Sequence, residues 1–140
     1  MTDAERDAFL CEERTCRVAT VGADGSPHAT PLWFAWDGTS LWLSSLVRSQ
    51  RWTDLVRDPR MSVIVDAGTK YGELRGVELR GRVEVVGEVP RRGGPAPELE
   101  TPERLYAEKY RGLVVHDGRH AWLRLTPEMI VSWDFRKLPD

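Results

Sequence analysis

The chain has 140 residues, with 20 basic and 22 acidic side chains, a net charge of −2, 41% apolar and 30% charged residues. That length suits a single domain, residues 1–140, with a real core, and the composition excludes a disordered tract. The near-neutral charge makes no case for a nucleic-acid partner, no apolar run approaches the ~20 residues of a membrane helix, and the charged start from Met1 to Arg14 lacks an apolar signal segment, so a cytoplasmic location is expected.

Thr2-Asp3-Ala4-Glu5 has the form of a capping box and predicts a short helix over about residues 3–13. Cys11 and Cys16 lack a metal or redox spacing and are expected as free thiols. A period-two pattern follows. Arg17–Val21, His28–Trp36 and Leu41–Ser45 are separated by Asp24-Gly25 and Asp37-Gly38, turns that tolerate positive φ, and so read as a three-stranded meander. Pro31 removes a ladder donor and places the second strand at an edge or a bulge. Ser49 can cap a helix with Trp52, Leu55 and Val56 as its apolar stripe, ended by Asp58-Pro59. Met61–Val65 and Leu74–Val86 read as strands, the latter with Gly76 and Gly81 as possible bulges. Pro90–Pro97 is a loop, and Thr101-Pro102-Glu103 opens a helix carrying Leu105, Tyr106 and Tyr110. Asp117-Gly118 precedes the strand Ala121–Leu125, and Met129–Phe135 is the last strand. The expected class is mainly β, a small antiparallel barrel or sandwich with two or three short helices.

Common nucleotide and hydrolase signatures are absent. His116 and His120 are four apart, but the turn between them argues against a shared helix face and hence against a metal site. The informative segment is Ser44-Ser45-Leu46-Val47-Arg48-Ser49-Gln50-Arg51, which joins a strand to a helix start. Helix N-termini carry unpaired N–H groups and partial positive charge, so Arg48 and Arg51 there are mildly unfavourable. A docked phosphate would resolve the conflict, with hydroxyls from Ser44, Ser45 and Ser49 and the Gln50 amide nearby; the alternative is that the arginines point to water.

The ordered set of Arg17-Val18-Ala19-Thr20, Asp24-Gly25-Ser26-Pro27-His28, Pro31-Leu32-Trp33-Phe34, Ser49-Gln50-Arg51, Arg57-Asp58-Pro59-Arg60, Leu74-Arg75-Gly76-Val77 and Ser132–Leu138 resembles the pyridoxamine 5′-phosphate oxidase-like superfamily of FMN-binding split barrels, within it the flavin/deazaflavin oxidoreductase group. The resemblance implies a six-stranded antiparallel split β-barrel of Greek-key type and a homodimer with the cofactor at the subunit interface. It implies that Ser44, Ser45, Ser49, Gln50 and Arg51 hold the cofactor phosphate, that Thr30, Pro31, Leu32 and Trp33 lie along the ring, and that Arg75, Trp133 and Lys137 approach from the interface side. Family members often have Lys at position 51 and Asn at position 54, where this chain has Arg51 and Asp54. Among cofactors, coenzyme F-420 is favoured over FMN, because its acidic tail suits Arg-lined walls and because a chain with 17 Arg, three Lys and no Asn suggests a GC-rich, actinobacterial genome; FAD and haem remain open. The implied activity is hydride transfer from reduced F-420 to an unsaturated small molecule, with His28, Tyr71 or solvent as the proton donor. A flavin oxidase of the pyridoxamine phosphate type, a non-catalytic cofactor carrier and a haem protein using His28, His116 or His120 are the alternatives.

Overall fold

A computed structural model of the chain describes residues 1–112 and 116–140. Its first helix, α1 (Asp3–Glu12), starts at the reciprocal capping box: Thr2 Oγ1 accepts from the Glu5 N–H at 3.1 Å and Glu5 accepts from the Thr2 N–H at 3.2 Å. Phe9 and Leu10 are its buried residues. Strands β1 (Cys16–Val21) and β2 (Pro27–Leu32) form the first hairpin, with Gly25 at φ 85° in the turn. β2 pairs with β1 alone, so Pro31 sits on an edge strand as its missing donor demands.

The next elements are β3 (Ala35–Trp36), β4 (Leu41–Leu46), α2 (Gln50–Arg57), β5 (Arg60–Ala67), β6 (Arg75–Val86), α3 (Glu100–Tyr110), β7 (His120–Leu125) and β8 (Met129–Asp134). All pairings are antiparallel, along the path β2-β1-β5-β6-β7-β4-β3, with β8 also on β6. The sheet path is open at β2 and β3. The mainly β split-barrel class is therefore as expected, but with eight strands and not six. The expected meander breaks at Trp33-Phe34: β2 joins β1, while β3 turns away to pair with β4. Tyr110 fixes that break, since its hydroxyl accepts from the Phe34 N–H and lies 2.9 Å from the Phe34 carbonyl.

β6 belongs to both halves. Arg75–Arg82 pairs with β5 and Arg75–Arg80 also with β8, whereas Val83–Val86 pairs with β7. Leu10, Cys16, Val18, Leu41, Leu43, Val63, Val65, Val77, Leu79 and Leu123 fill the space between the halves. A smaller cluster of Ala35, Trp42, Val86, Leu99 and Trp122 lies under α3. Three of the buried indoles find a carboxylate for the N–H: Trp36 donates to Asp7 at 3.0 Å, Trp42 to Asp37 at 2.8 Å and Trp122 to Glu103 at 3.1 Å. Glu103 is also the partner of Arg91 and His116, and so ties α3 to the loops before and after it. Val56 departs from the expected stripe of α2 and is exposed, while Trp52 and Leu55 are buried. Both cysteines are free; burial pushes the Cys16 thiol up to about 12, which leaves it an inert core residue.

Gly76 on β6 lies against the Trp133 indole, and a Cβ there would come within 2.4 Å of its Cζ2. Gly76→Ala is therefore expected to lower unfolding stability by about 1–3 kcal/mol, read as a reduced urea midpoint with an unchanged slope.

Candidate functional site

The sequence from Leu41 to Arg57 runs strand, tight turn, helix. The turn closes with Ser49 N–H donating to the Leu46 carbonyl at 3.2 Å. Ser49 then caps α2, its Oγ accepting from the Trp52 N–H at 3.1 Å and donating to the Leu46 carbonyl at 2.8 Å. Thr53 N–H to the Ser49 carbonyl, 3.1 Å, is the first closed turn. The N–H groups of Gln50 and Arg51 precede it and are the two left over at the helix start.

Arg51 is the centre of the site. It is 8% exposed, and its Nε donates to Ser45 Oγ at 3.1 Å while Nη1 donates to Thr30 Oγ1 at 2.8 Å. Among the described residues it has no carboxylate partner, and burial pulls its guanidinium below its ordinary value. Nη2 hydrogen-bonds no described residue. Neutral hydroxyls orient this cation without balancing its charge, and a buried charge left unbalanced is expensive. The corner has the donors of an anion site: a fixed guanidinium face and two first-turn N–H groups.

Ser45 and Arg51, expected at the cofactor phosphate, and Thr30, expected along the ring, come together at the head of α2. Three other expected phosphate ligands contribute differently. Ser44 neighbours Ser45 on β4, so its side chain lies on the opposite face of the strand, opposite Trp122 in register. The Ser49 hydroxyl is spent on the cap. The Gln50 side chain donates to Asp54 Oδ1 at 2.8 Å. Asp54 is buried, accepts from Thr20 Oγ1 at 2.8 Å, and lies 3.7 Å from Arg57. The carboxylate expected to weaken an anion site is thus turned onto Gln50, Thr20 and Arg57, and those hydrogen bonds hold it below the usual carboxylate range.

The remaining expected residues divide. Leu32 packs on the main core and Pro31 is exposed. Trp33, 46% exposed, stacks on Tyr110 at 4.1 Å and 2°, with Arg14 5.8 Å from its ring. Arg75 lies over Phe9, 5.1 Å from the ring, and Lys137 pairs with Glu5 at 2.7 Å. Trp133 covers Gly76 next to them. Arg75, Trp133 and Lys137 therefore gather by the start of α1, as a group separate in its contacts from the Arg51 corner. Of the expected proton donors, Tyr71 is exposed against Phe135 and His28 sits opposite Thr20 on β2. His116 and His120 are held by Glu103 at 2.8 Å and Asp117 at 2.9 Å.

The outer face of the sheet carries Pro27, Ala29, Ala19, Val21, Ile64, Val131 and Met129 in register, with Met129 and Val131 exposed. A groove of about 550 Å³ on this face is lined by Ala19, Val21, Pro27, Ser62, Arg80 and Arg82 among others.

The family model described as pyridoxamine 5′-phosphate oxidase matches residues 2–134. The chain belongs to this family. A conserved hypothetical protein from Mycobacterium tuberculosis is 34% identical over 100% of this chain and 90% of its own, with a TM-score of 0.82. An F420 reductase is 23% identical over 89% of this chain and 94% of its own, with a TM-score of 0.69. An FAD-binding protein from Mesorhizobium loti is 19% identical over 94% of this chain and 92% of its own, with a TM-score of 0.71. The last two likenesses are of fold. A search of curated proteins finds no match. Membership places the chain among flavin-type oxidoreductases of the split-barrel superfamily, and no helix among the described residues is long and apolar enough to cross a membrane.

The folded-state carboxyl of Asp54 titrates below its unfolded value, so its contribution to stability is present above about pH 4 and is lost as pH falls through the folded value. Asp54→Asn can still accept from Gln50 and can donate to Thr20. The variant is expected to fold, with a flatter loss of stability than wild type as pH falls below about 4, followed by thermal melts.

Proposed function

We propose that this chain is a cytoplasmic, homodimeric F-420-dependent reductase, with FMN as the alternative cofactor. The observation that carries the reading is Arg51: a buried cation, oriented by Ser45 and Thr30, with no carboxylate to balance it and with the first-turn N–H groups of α2 beside it. A phosphate-bearing cofactor supplies the missing negative charge. Arg51 with the N–H groups of Gln50 and Arg51 would hold that phosphate. Ser45 and Thr30 act one step back, fixing the guanidinium plane. The β2 segment from Thr30 to Trp33 leads away from this corner and would flank the ring.

The cofactor supplies hydride chemistry toward an unsaturated organic substrate. The protein's part is to bind, orient and exclude water. F-420 is preferred over FMN on the resemblance of the Ser132–Leu138 ending to deazaflavin-binding relatives and on the arginine-rich surface. The F420 reductase and the FAD-binding protein of like fold make both deazaflavin and flavin reasonable ligands for this scaffold. The second copy in the dimer would cover the outer sheet face, where Met129, Val131, Pro27 and Ala29 are exposed. Arg75, Trp133 and Lys137 would then approach the site from the interface side.

Titration with F-420, FMN, FAD and haem, followed by absorbance and fluorescence, tests the cofactor. F-420 is expected to bind; tight FMN binding without F-420 binding would reverse the choice, and binding of haem alone would end the reductase reading. Arg51→Ala is expected to weaken the cofactor by about 1.5–3 kcal/mol, roughly ten- to a hundredfold, whereas Arg51→Lys keeps most of the affinity. Equal affinity in wild type and Arg51→Ala removes the phosphate from this corner. Val131→Glu is expected to convert the dimer to a monomer in sedimentation velocity and to release the cofactor with it; a wild-type monomer that still binds cofactor would refute the shared site.

A further inference from the structure

Away from the Arg51 corner, a cavity of about 250 Å³ lies where α1, β3 and α3 meet. It is lined by Cys11 of α1, Ala35 and Trp36 of β3, and Leu105, Glu108 and Lys109 of α3. Ala35 and Trp36 are buried and Leu105 is half-buried, so the walls are apolar, while the exposed Cys11 and Glu108 form the rim. Lys109 is the one basic residue among them.

Lys109 is itself half-buried. Its Nζ donates to the Leu10 carbonyl, in the last turn of α1, at 3.0 Å and stands 3.6 Å from the centre of the Phe34 ring. A helix C-terminus and an aromatic face both favour a cation. One N–H is spent on Leu10, and Nζ bonds no other acceptor among the described residues. Burial pushes this amine down to about 8; Cys11, Cys16 and Glu13 act the other way and Arg14 acts with burial. The other carboxylates nearby are engaged, Glu108 with Arg104 at 3.4 Å and Asp7 with Arg6 and Trp36. Roughly a quarter of the amine is then neutral at pH 7.5, against about one part in a thousand for an ordinary lysine. Burial pushes the Cys11 thiol up and so keeps it protonated. The nucleophile of this pair at neutral pH is therefore the amine.

We propose that Lys109 is a covalent site for a small uncharged aldehyde, which enters the cavity and condenses with Nζ as an imine. The neutral amine adds its lone pair to the carbonyl carbon, and a proton passes from nitrogen to oxygen to give a carbinolamine. A solvent proton then carries the hydroxyl away as water while the nitrogen lone pair forms the C=N bond of an iminium. One water leaves, and nothing is oxidised or reduced. The iminium keeps an N–H and the positive charge, so the Leu10 carbonyl and the Phe34 face serve it as they serve the ammonium. An acyl donor would instead leave a neutral amide and forfeit the attraction to Phe34. The apolar walls suit an apolar or aromatic body, and Glu108 at the rim disfavours an anionic one.

The test uses the full chain with benzaldehyde and cyanoborohydride, which traps imines as secondary amines, followed by peptide mapping in a mass spectrometer. Lys70 and Lys137 are the only other lysines and serve as internal references. At pH 7.5 Lys109 is expected to be labelled at least tenfold faster than either, with a rate that saturates as benzaldehyde is raised. Cys11→Phe, which narrows the mouth from an exposed position, is expected to slow labelling of Lys109 tenfold or more. Val56→Phe, exposed on α2, is expected to label as wild type. Lys109 labelled no faster than the references, a rate linear in benzaldehyde, or undiminished labelling in Cys11→Phe overturns the proposal. The first two readouts are made on the wild-type chain, so they decide the matter even where Cys11→Phe lowers the melting temperature. No readout involves a bound cofactor, so failure of the reductase reading leaves the result standing.

Discussion

A single guanidinium spans the place where the barrel splits. Arg51 donates to Thr30 on β2, in the part of the sheet that contains β1, and to Ser45 on β4, in the part that contains β7. The chain changes sheets between those two strands, at Trp33-Phe34, so no backbone ladder joins them. A charge that holds this seam must be buried, and a buried charge held only by hydroxyls is left unbalanced. The seam and the corner proposed to take a phosphate are built on the same side chain. Lys at this position would present a point charge; the planar fork of Arg can hold both hydroxyls and still offer Nη2.

The surroundings keep that charge unbalanced. Asp54 lies one helical turn away, close enough to neutralise Arg51 had its carboxylate faced the same way. Thr20, Gln50 and Arg57 turn it toward β1 instead. Glu103 performs a parallel task across the molecule, gathering Arg91, His116 and Trp122 onto one carboxylate so that α3 closes the smaller core. α3 in turn places Tyr110, whose hydroxyl meets the Phe34 backbone and whose ring supports Trp33. The position of the Trp33-Phe34 segment thus traces back to an ion-pair cluster far from it in sequence.

Local chemistry was readable from the sequence. The Thr2 box, the Ser49 cap, the Asp-Gly turns and the edge position of Pro31 all follow from backbone preferences within a few residues, and the structure has each of them. The corner at the head of α2 was readable in part, because a strand–turn–helix with arginines at the helix start is a local conflict. What was not readable is long-range. Thr30 meets Arg51 through a contact 21 residues away, whereas the family pattern had put it along the ring. The pairing of the Ser49 side chain with Leu46 and Trp52, and of Gln50 with Asp54, depends on geometry set after folding. The break at Trp33-Phe34 depends on Tyr110, 76 residues on.

The six tryptophans bear on packing. Trp36, Trp42, Trp52 and Trp122 are buried, so most of the aromatic load goes into the core. The strands that supply Val18, Val63, Val77 and Leu79 to that core also present Ala19, Val21 and Ile64 on their other face, bounded by Pro27 and Ala29 at one edge and Val131 and Met129 at the other. An antiparallel sheet with one wet face alternates cleanly between apolar and polar. This one carries an apolar stripe on its outer face as well, flanked in the same register by Arg17, Arg60, Ser62, Asp66, Glu78, Arg80 and Arg82. Trp133 stands on that same face, in register with Gly76 and packed on it, so one of the six indoles lies outside the core on the second face of the sheet.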